Sequence, residues 1–220
     1  MNTLTKMALG LLGKLQAQPA SGETLAVMAL PVAQTAGGMP LMQTLHQRHS
    51  SREFRTDPLT PQQLSDLLWA ACGLNRPAEG GRTAPSAMNT QEIDLYVALP
   101  QGLYRYEPKA HALQLVLSED VRRVTGYQDF VDTAPLDLIF VADHSRMKIV
   151  PASMRESYAS VAAGAMAQNI YLYCASVGLA TVVRAWFDRH ALTQAMGLTP
   201  DHQLLLTQTV GWPQHEDRPS

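Results

Sequence analysis

The chain has 220 residues, of which 46% are hydrophobic, and this length suffices for one domain with a full hydrophobic core. Its formal net charge of −2 at pH 7 lacks the basic excess that is typical of nucleic-acid-binding proteins, so that class is excluded. No apolar run reaches the ~20 residues that a membrane-spanning helix needs, and we expect no membrane span.

The first 39 residues are predicted to form a leader or an extended arm. Residues 1–22 contain an early Lys6, a short apolar piece (MALGLLG) and small residues after it, an order that loosely resembles a secretory signal. Lys14 interrupts the apolar run, which is short for the hydrophobic region of such a signal. Residues 18–39 are rich in Ala, Gly, Pro and Thr, which favours an extended arm that docks on a partner subunit. We therefore expect a cytoplasmic protein, with export as the alternative.

Two helices are expected in the next part of the chain. The first is predicted to begin near Pro40 and to run through LMQTLHQRH. If it continues further, Arg48 and Arg52 project the same way, because they are four residues apart. The TPQQ sequence at residues 60–63 predicts the start of the second helix, with a Thr N-cap and Pro at the first helical position. Gly73 is expected to end that helix in the left-handed conformation.

The remaining chain mixes strands and helices without regular βαβ units. Residues 75–92 are polar and are predicted to form a loop. The elements predicted after this loop are strands at Ile93–Leu99, Gly102–Tyr106, Ala112–Leu117 and Leu136–Ala142, a long helix at Ser153–Val177, a strand at Ala180–Trp186, a helix at His190–Met196 and a strand at Gln203–Val210. Tyr104 and Tyr106 share one face of their strand, which we expect to be exposed or at an interface. This order predicts an α+β fold with a mostly antiparallel sheet between helices.

Several common chemical motifs are missing from the sequence. GxGxxG, GxxxxGK[ST], HExxH and GxSxG do not occur, and the seven histidines show no pair at metal-ligand spacing. We therefore expect no metal centre. Cys72 and Cys174 lie within apolar runs and are predicted to be buried structural thiols, with a single disulfide between them as the alternative.

Two polar clusters carry the candidate chemistry. RHSSR at residues 48–52 combines two guanidinium groups with an imidazole and two hydroxyl groups, and arginine binds phosphate through two parallel charge-assisted hydrogen bonds. PSAMNTQ at residues 85–91 forms the second cluster. A short basic run alone is more typical of a solvated surface. Together, however, the two clusters indicate a phosphate-bearing organic cofactor.

These clusters are part of a wider resemblance. RHSSREF, WAACG, APSAMNTQ, the segment from AQNI to SVGLA, and GWP occur in an order that resembles the flavin-dependent nitroreductase family over residues 40–213. The stretch LLWAACGLNR and the later GLYRYEPKAHAL bring the chain nearest to the SagB-type branch of that family. The resemblance implies a three-layer fold, a single FMN-binding domain at residues 40–220 and an intertwined homodimer.

The resemblance also implies the contacts that hold FMN. The first cluster would bind the phosphate and ribityl chain, and the second would reach the flavin of the partner subunit. The turn after the long helix would place backbone N–H groups near N5 and O4 of the ring, and a basic residue after GWP would return to the phosphate. The predicted cofactor-binding residues are Arg48, His49, Ser50, Arg52, Pro85, Ser86, Met88, Asn89, Gln91, Gly178, Leu179, Ala180, Thr181 and Arg218.

The function that the resemblance implies is an FMN-dependent oxidoreductase. NAD(P)H would supply the electrons, and a nitroaromatic, quinone or similar small aromatic acceptor would be reduced. No catalytic side chain is expected, because the cofactor carries the redox chemistry and hydride transfer needs no side-chain acid or nucleophile. Two alternatives remain open: a SagB-like FMN-dependent dehydrogenase of azoline peptides, and a non-catalytic flavin-binding protein.

Overall fold

The computed structural model describes residues 18–19 and 26–214. The α-helices among these residues are α1 (Leu41–Gln47), α2 (Pro61–Cys72), α3 (Ala152–Val177) and α4 (Arg189–Met196). Short 3-10 helices occur at Ala87–Asn89, Arg122–Val124, Asp129–Asp132 and His144–Met147. None of the described helices is long and apolar enough to cross a membrane.

The strands form one large sheet and two small ribbons. They are β1 (Gln18–Pro19), β2 (Val27–Ala29), β3 (Leu74–Arg76), β4 (Gly81–Arg82), β5 (Ile93–Leu99), β6 (Gly102–Glu107), β7 (Ala112–Leu117), β8 (Glu119–Asp120), β9 (Leu136–Asp143), β10 (Ala180–Arg184) and β11 (His202–Gly211). Seven of them form the large sheet in the order β10-β11-β9-β5-β6-β7-β2, and its neighbours pair in an antiparallel manner. β1 pairs with β8, and β3 pairs with β4. The predicted α+β fold is confirmed.

Helices cover both faces of the large sheet. Along β5, Ile93, Leu95, Val97 and Leu99 pack with α2 and α3 in one core cluster. Tyr96 and Ala98 point the other way and pack with the 3-10 segments and α4 in a second cluster. Because successive strand residues face opposite sides, a strand buried on both faces divides its side chains between two cores. The sheet is therefore the middle of three layers.

The two ends of α2 have different outcomes. Thr60 and Gln63 form the predicted capping box, in which each side chain accepts from the other residue's backbone N–H. Gly73, however, is extended at φ −66° and ψ 165°, so the predicted left-handed end is wrong. The chain continues directly into β3, which needs an extended residue. Crowding explains the glycine, because a Cβ there would lie 2.4 Å from Cδ1 of Trp69.

The predicted exposure of Tyr104 and Tyr106 is also wrong, since both side chains are buried. Both belong to the core cluster that β6 shares with α2 and α3. The Tyr106 hydroxyl group lies 2.8 Å from Nδ1 of His111 and burial raises the pKa of Tyr106. The alternation of the strand identified their common face, but it carried no information about the helix that covers it.

Residues 26–39 of the predicted arm lie against their own chain. β2 extends the large sheet by pairing with β7, and the Pro31 carbonyl accepts a hydrogen bond from Ser65 Oγ on α2 at 2.6 Å. Further along, the Met39 N–H donates to Ser176 Oγ at 2.7 Å, near the end of α3. These bonds place the start of α1 beside the end of α3.

Both cysteines are buried and free, which confirms the prediction of structural thiols over a disulfide. Burial raises the pKa of the Cys72 thiol to about 12 and raises that of Cys174 further. Both thiols therefore remain protonated and unreactive at neutral pH.

Candidate functional site

The first polar cluster contacts the far half of the chain through hydrogen bonds. The Ser51 N–H donates to the Thr181 carbonyl at 3.1 Å. One residue earlier, the Ser50 hydroxyl lies 2.8 Å from the Tyr171 hydroxyl on α3. The Tyr171 hydroxyl also accepts from the Val183 N–H at 3.0 Å, which ties it to β10. Residues 48–52, the end of α3 and the start of β10 therefore form one unit, which we call the basic site.

The end of α1 determines where Arg48 lies. The helix stops at Gln47, and Arg48 caps it through a backbone bond to the Thr44 carbonyl while its ψ of 120° turns the chain away. The helix therefore ends two residues earlier than the predicted LMQTLHQRH, and the condition under which helical spacing would place Arg48 and Arg52 on one face is not met. The Arg48 guanidinium instead lies 5.4 Å from the centre of the Tyr171 ring, within range of a cation–π contact.

The charge of the basic site has no counter-ion in the described part of the chain. Neither Arg48 nor Arg52 forms an ion pair with a described residue. By contrast, the nearby Arg55 pairs with Asp57 at 2.8 Å. Two cations without a carboxylate, next to the Ser50 hydroxyl group, match the donors that bind phosphate in proteins. His49 is exposed, and its Nδ1 lies 2.9 Å from the Gln47 carbonyl.

The turn after α3 is the second part of the basic site. Gly178 adopts the left-handed conformation at φ 75°, which confirms it as the end of the helix. Leu179 and Ala180 are buried, and the Thr181 hydroxyl donates to the Thr209 carbonyl at 2.8 Å. The Thr181 side chain is thus used within the sheet, so this segment can offer a ligand only backbone groups.

The second polar cluster is a constrained, outward-facing loop at residues 85–91. Met88, Asn89 and Gln91 have positive φ angles of 54°, 54° and 49°, which is unusual for residues with a side chain. The Glu92 carboxylate stabilises this loop through two hydrogen bonds. Its Oε2 accepts from Ser86 Oγ at 2.5 Å and from Thr90 Oγ1 at 2.8 Å.

The loop exposes its tip to solvent. Met88 is 66% exposed, and Asn89 is exposed beside it. The Gln91 side chain, in contrast, donates to the Gly80 carbonyl at 2.8 Å. Pro85 is exposed at the start of the loop. The constrained backbone of the loop therefore presents the apolar Met88 side chain and the Asn89 amide to solvent.

The loop and the basic site lie at different positions along α3. The loop residues share a small cleft with Ala162 and Met166 of that helix, whereas the basic site uses Tyr171. At 1.5 Å per residue, five to nine helical residues separate the two by roughly 8–14 Å. The structure thus brings together Arg48, Ser50 and the turn at residues 178–181, whereas the loop lies nearer the N-terminal part of α3.

Two residues of this arrangement were missed by the sequence analysis. Tyr171 and Glu92 were not singled out, although each orients one of the two clusters. A buried tyrosine usually finds a partner for its hydroxyl group, and a buried carboxylate needs donors. The sequence could therefore have marked Tyr171 as polar within an apolar helix, but it gave no sign of which residue it contacts.

Arg218 lies outside the described residues, so its predicted phosphate contact stays a prediction. The chain approaches the basic site before that point, because the Gln214 N–H donates to the Glu53 carbonyl at 3.2 Å. Four further residues reach at most about 14 Å, which includes the neighbouring Arg52.

Comparison with known proteins identifies the family. The profile of the Nitroreductase family matches residues 45–212. A protein of Methanocaldococcus jannaschii that is provisionally named a nitroreductase is 35% identical over 159 residues, which are 67% of this chain and 80% of that protein. The chain belongs to the nitroreductase family. This member of the family is therefore a flavin-dependent oxidoreductase, as the sequence resemblance implied.

Solved structures agree with this assignment. A provisionally named nitroreductase from Ralstonia eutropha JMP134 shares 53% identity with this chain at a TM-score of 0.88, over 91% of this chain and 96% of that one. A second one, from Desulfovibrio desulfuricans in complex with FMN, shares 20% identity at a TM-score of 0.60, over 84% and 92% of the two chains. The second likeness shows a common fold.

Replacing Tyr171 by Phe should destabilise the protein before any ligand is added. The Val183 N–H would lose its acceptor, and an unsatisfied donor costs about 1–3 kcal/mol of unfolding free energy. Tyr158→Phe is the matched control, because the hydroxyl of that half-buried residue makes only a 3.9 Å contact with Met154 sulfur and its loss should cost under about 0.5 kcal/mol. Urea unfolding of both apo-proteins measures the difference. Equal stability of the two variants would contradict the role given to Tyr171.

Proposed function

We propose that this protein binds FMN at the basic site and transfers electrons from NAD(P)H to a small nitroaromatic or quinone-like acceptor. The observation that carries the proposal is the pair of arginines, Arg48 and Arg52, without a described acidic partner beside the Ser50 hydroxyl group. The bound FMN of the Desulfovibrio desulfuricans neighbour supports it.

The residues of the basic site have distinct tasks in this proposal. Arg48 and Arg52 balance the charge of the phosphate group, and Ser50 donates a short neutral hydrogen bond to the same end of the cofactor. Tyr171 fixes the Ser50 hydroxyl group and lies under the Arg48 guanidinium, so both donors are positioned before a ligand arrives. Preorganised donors lose less conformational entropy on binding.

The turn at residues 178–181 would serve the ring end of the cofactor. When FMN is bound it supplies the hydride chemistry, and the protein contributes position and electrostatics. Backbone N–H groups near Ala180 and Thr181 would stabilise negative charge on the ring. Cys174 adds no chemistry here, because burial raises the pKa of its thiol far above neutral pH.

The proposed site is completed by a second copy of the chain. The loop at residues 85–91 exposes Met88 and Asn89 to solvent, and it does not share a contact with the basic site among the described hydrogen bonds. Helix α3 also exposes apolar side chains, with Val161 at 71% and Met154 at 39% exposure. Exposed apolar surface of this kind is typical of protein interfaces. In a homodimer the loop of one chain would contact the flavin held by the other.

Arg48→Ala and Arg52→Ala should each weaken FMN binding. The loss of one charge-assisted hydrogen bond costs about 1.5–3 kcal/mol, and fluorescence titration measures it. Riboflavin lacks the phosphate group, so its affinity should be the same in the wild type and both variants. Arg55→Ala is the control, because Arg55 already pairs with Asp57 at the surface and its loss should cost under about 1 kcal/mol. Unchanged FMN affinity in both variants would rule out the phosphate contact.

Electron transfer should follow flavin binding in a rapid-mixing experiment. NADH or NADPH added without oxygen should bleach the visible flavin band, and menadione or a nitroaromatic compound should restore it. A protein that only stores flavin would show no bleaching with either nucleotide, and that result would overturn the proposed activity while leaving FMN binding intact.

A further inference from the structure

Strands β5 and β6 separate before either strand ends. Their pairing stops at Tyr96 and Arg105. β5 nevertheless remains paired with β9 as far as Ile93, and β6 remains paired with β7 as far as Glu107. Residues 93–95 therefore face residues 106–107 without the hydrogen bonds of a continuous sheet.

The gap between the two strands opens into a cavity of about 360 Å³, which we call the split cavity. Small-molecule sites usually have volumes of ~300–1,000 Å³, so the split cavity can hold a small organic molecule. Unpaired strand edges present backbone N–H and C=O groups, which add hydrogen-bonding capacity to its wall. The split cavity does not include any residue of the basic site.

Most of the charged side chains in the wall form ion pairs with one another. Its charged side chains, apart from histidine, are Arg82, Arg105, Arg146, Asp94, Glu107 and Asp143. Arg146 pairs with Asp94 at 2.5 Å and with Asp143 at 3.0 Å. Arg105 pairs with Glu107 at 2.6 Å. All three carboxylates are thus occupied, and two of the three arginines are balanced.

Arg82 is left without a partner in the described part of the chain. Its side chain makes no hydrogen bond and no ion pair with a described residue, and its buried Nε has no acceptor there. A cation in a partly buried wall is unfavourable unless an anion or a hydrogen-bond acceptor compensates it. Arg82 also lines the small cleft under the loop at residues 85–91, so it stands between the split cavity and that loop.

We propose that the split cavity binds a small organic anion, with its carboxylate or phosphate group on the Arg82 guanidinium. Arg82 is the one arginine of the wall that pairs with no described carboxylate, and a guanidinium binds both carboxylate and phosphate groups through paired hydrogen bonds. The site is separate from the proposed FMN site, which uses Arg48 and Arg52. Because Arg82 precedes Pro85 by three residues, the anion binds next to the segment that carries the outward-facing loop.

The test uses the FMN-loaded protein, in which FMN occupies the basic site. Inorganic phosphate and succinate are titrated separately. Isothermal titration calorimetry measures the affinity in the wild type and in each variant, and the ¹⁵N-arginine Nε–H resonances in NMR spectra show whether Arg82 contacts the probe. The Arg82 resonance is assigned by its absence in Arg82→Gln. We expect this resonance to shift with saturation in at least one titration, and Arg82→Gln to weaken binding by about ten-fold or more. Binding of one probe only identifies which of the two groups the site accepts.

Arg76→Gln is the matched control, since Arg76 lies on the neighbouring strand β3, pairs with Glu79 and does not line the split cavity. It should bind the probes as the wild type does. Arg82→Lys keeps the charge, so it provides the comparison if Arg82→Gln does not fold, and it should bind more weakly than the wild type. An Arg82 resonance that shifts with neither probe would overturn the proposal, as would wild-type affinity in both Arg82 variants. FMN remains bound in either outcome, so failure here is distinct from failure of the proposed function.

Discussion

Two neighbouring hydrogen bonds determine the geometry of the proposed flavin site. One joins the Ser51 N–H to the Thr181 carbonyl, and the other joins the hydroxyl groups of Ser50 and Tyr171. They connect segments that are more than a hundred residues apart in the sequence, and they fix the basic run after α1 against the end of α3 and the start of β10. Without them, Arg48 would have no fixed relation to the turn that follows α3. The long helix is therefore the scaffold of the site as well as part of the core.

The fold was largely predictable because its signals are local. The start of α2 at Thr60, the alternation of β5 and the end of α3 before Gly178 each depend on a few adjacent residues, and each prediction is confirmed. The errors arose where distant contacts decide the outcome. Tyr104 is buried by a helix elsewhere in the chain, and the geometry of Gly73 follows from the strand that comes next.

The candidate site was predictable in its residue types and less so in its geometry. The basic motif identified Arg48 and Ser50, but helical spacing does not relate the two arginines because α1 ends at Gln47. Tyr171 orients the first cluster through Ser50, and Glu92 orients the second through Ser86, but neither residue belongs to the sequence motifs. Such supporting residues contact a motif only in the folded chain, so a short sequence motif does not reveal them. Arg82, which has no ion-pair partner among the described residues, depends on the fold in the same way, because the sequence does not show which arginines form ion pairs.

The central claim is that each flavin site combines the basic site of one chain with the loop of another. Co-expression of an Arg48→Ala/Arg52→Ala chain with a Ser86→Ala/Asn89→Ala chain tests it directly, with FMN stoichiometry as the measurement. Each variant alone should fail to retain FMN. In random mixing about half of the dimers contain one of each chain, and each mixed dimer has one intact site, so about a quarter of all sites should recover FMN. If both clusters served the same chain, every site would carry a defect, and the absence of any recovery would contradict the account.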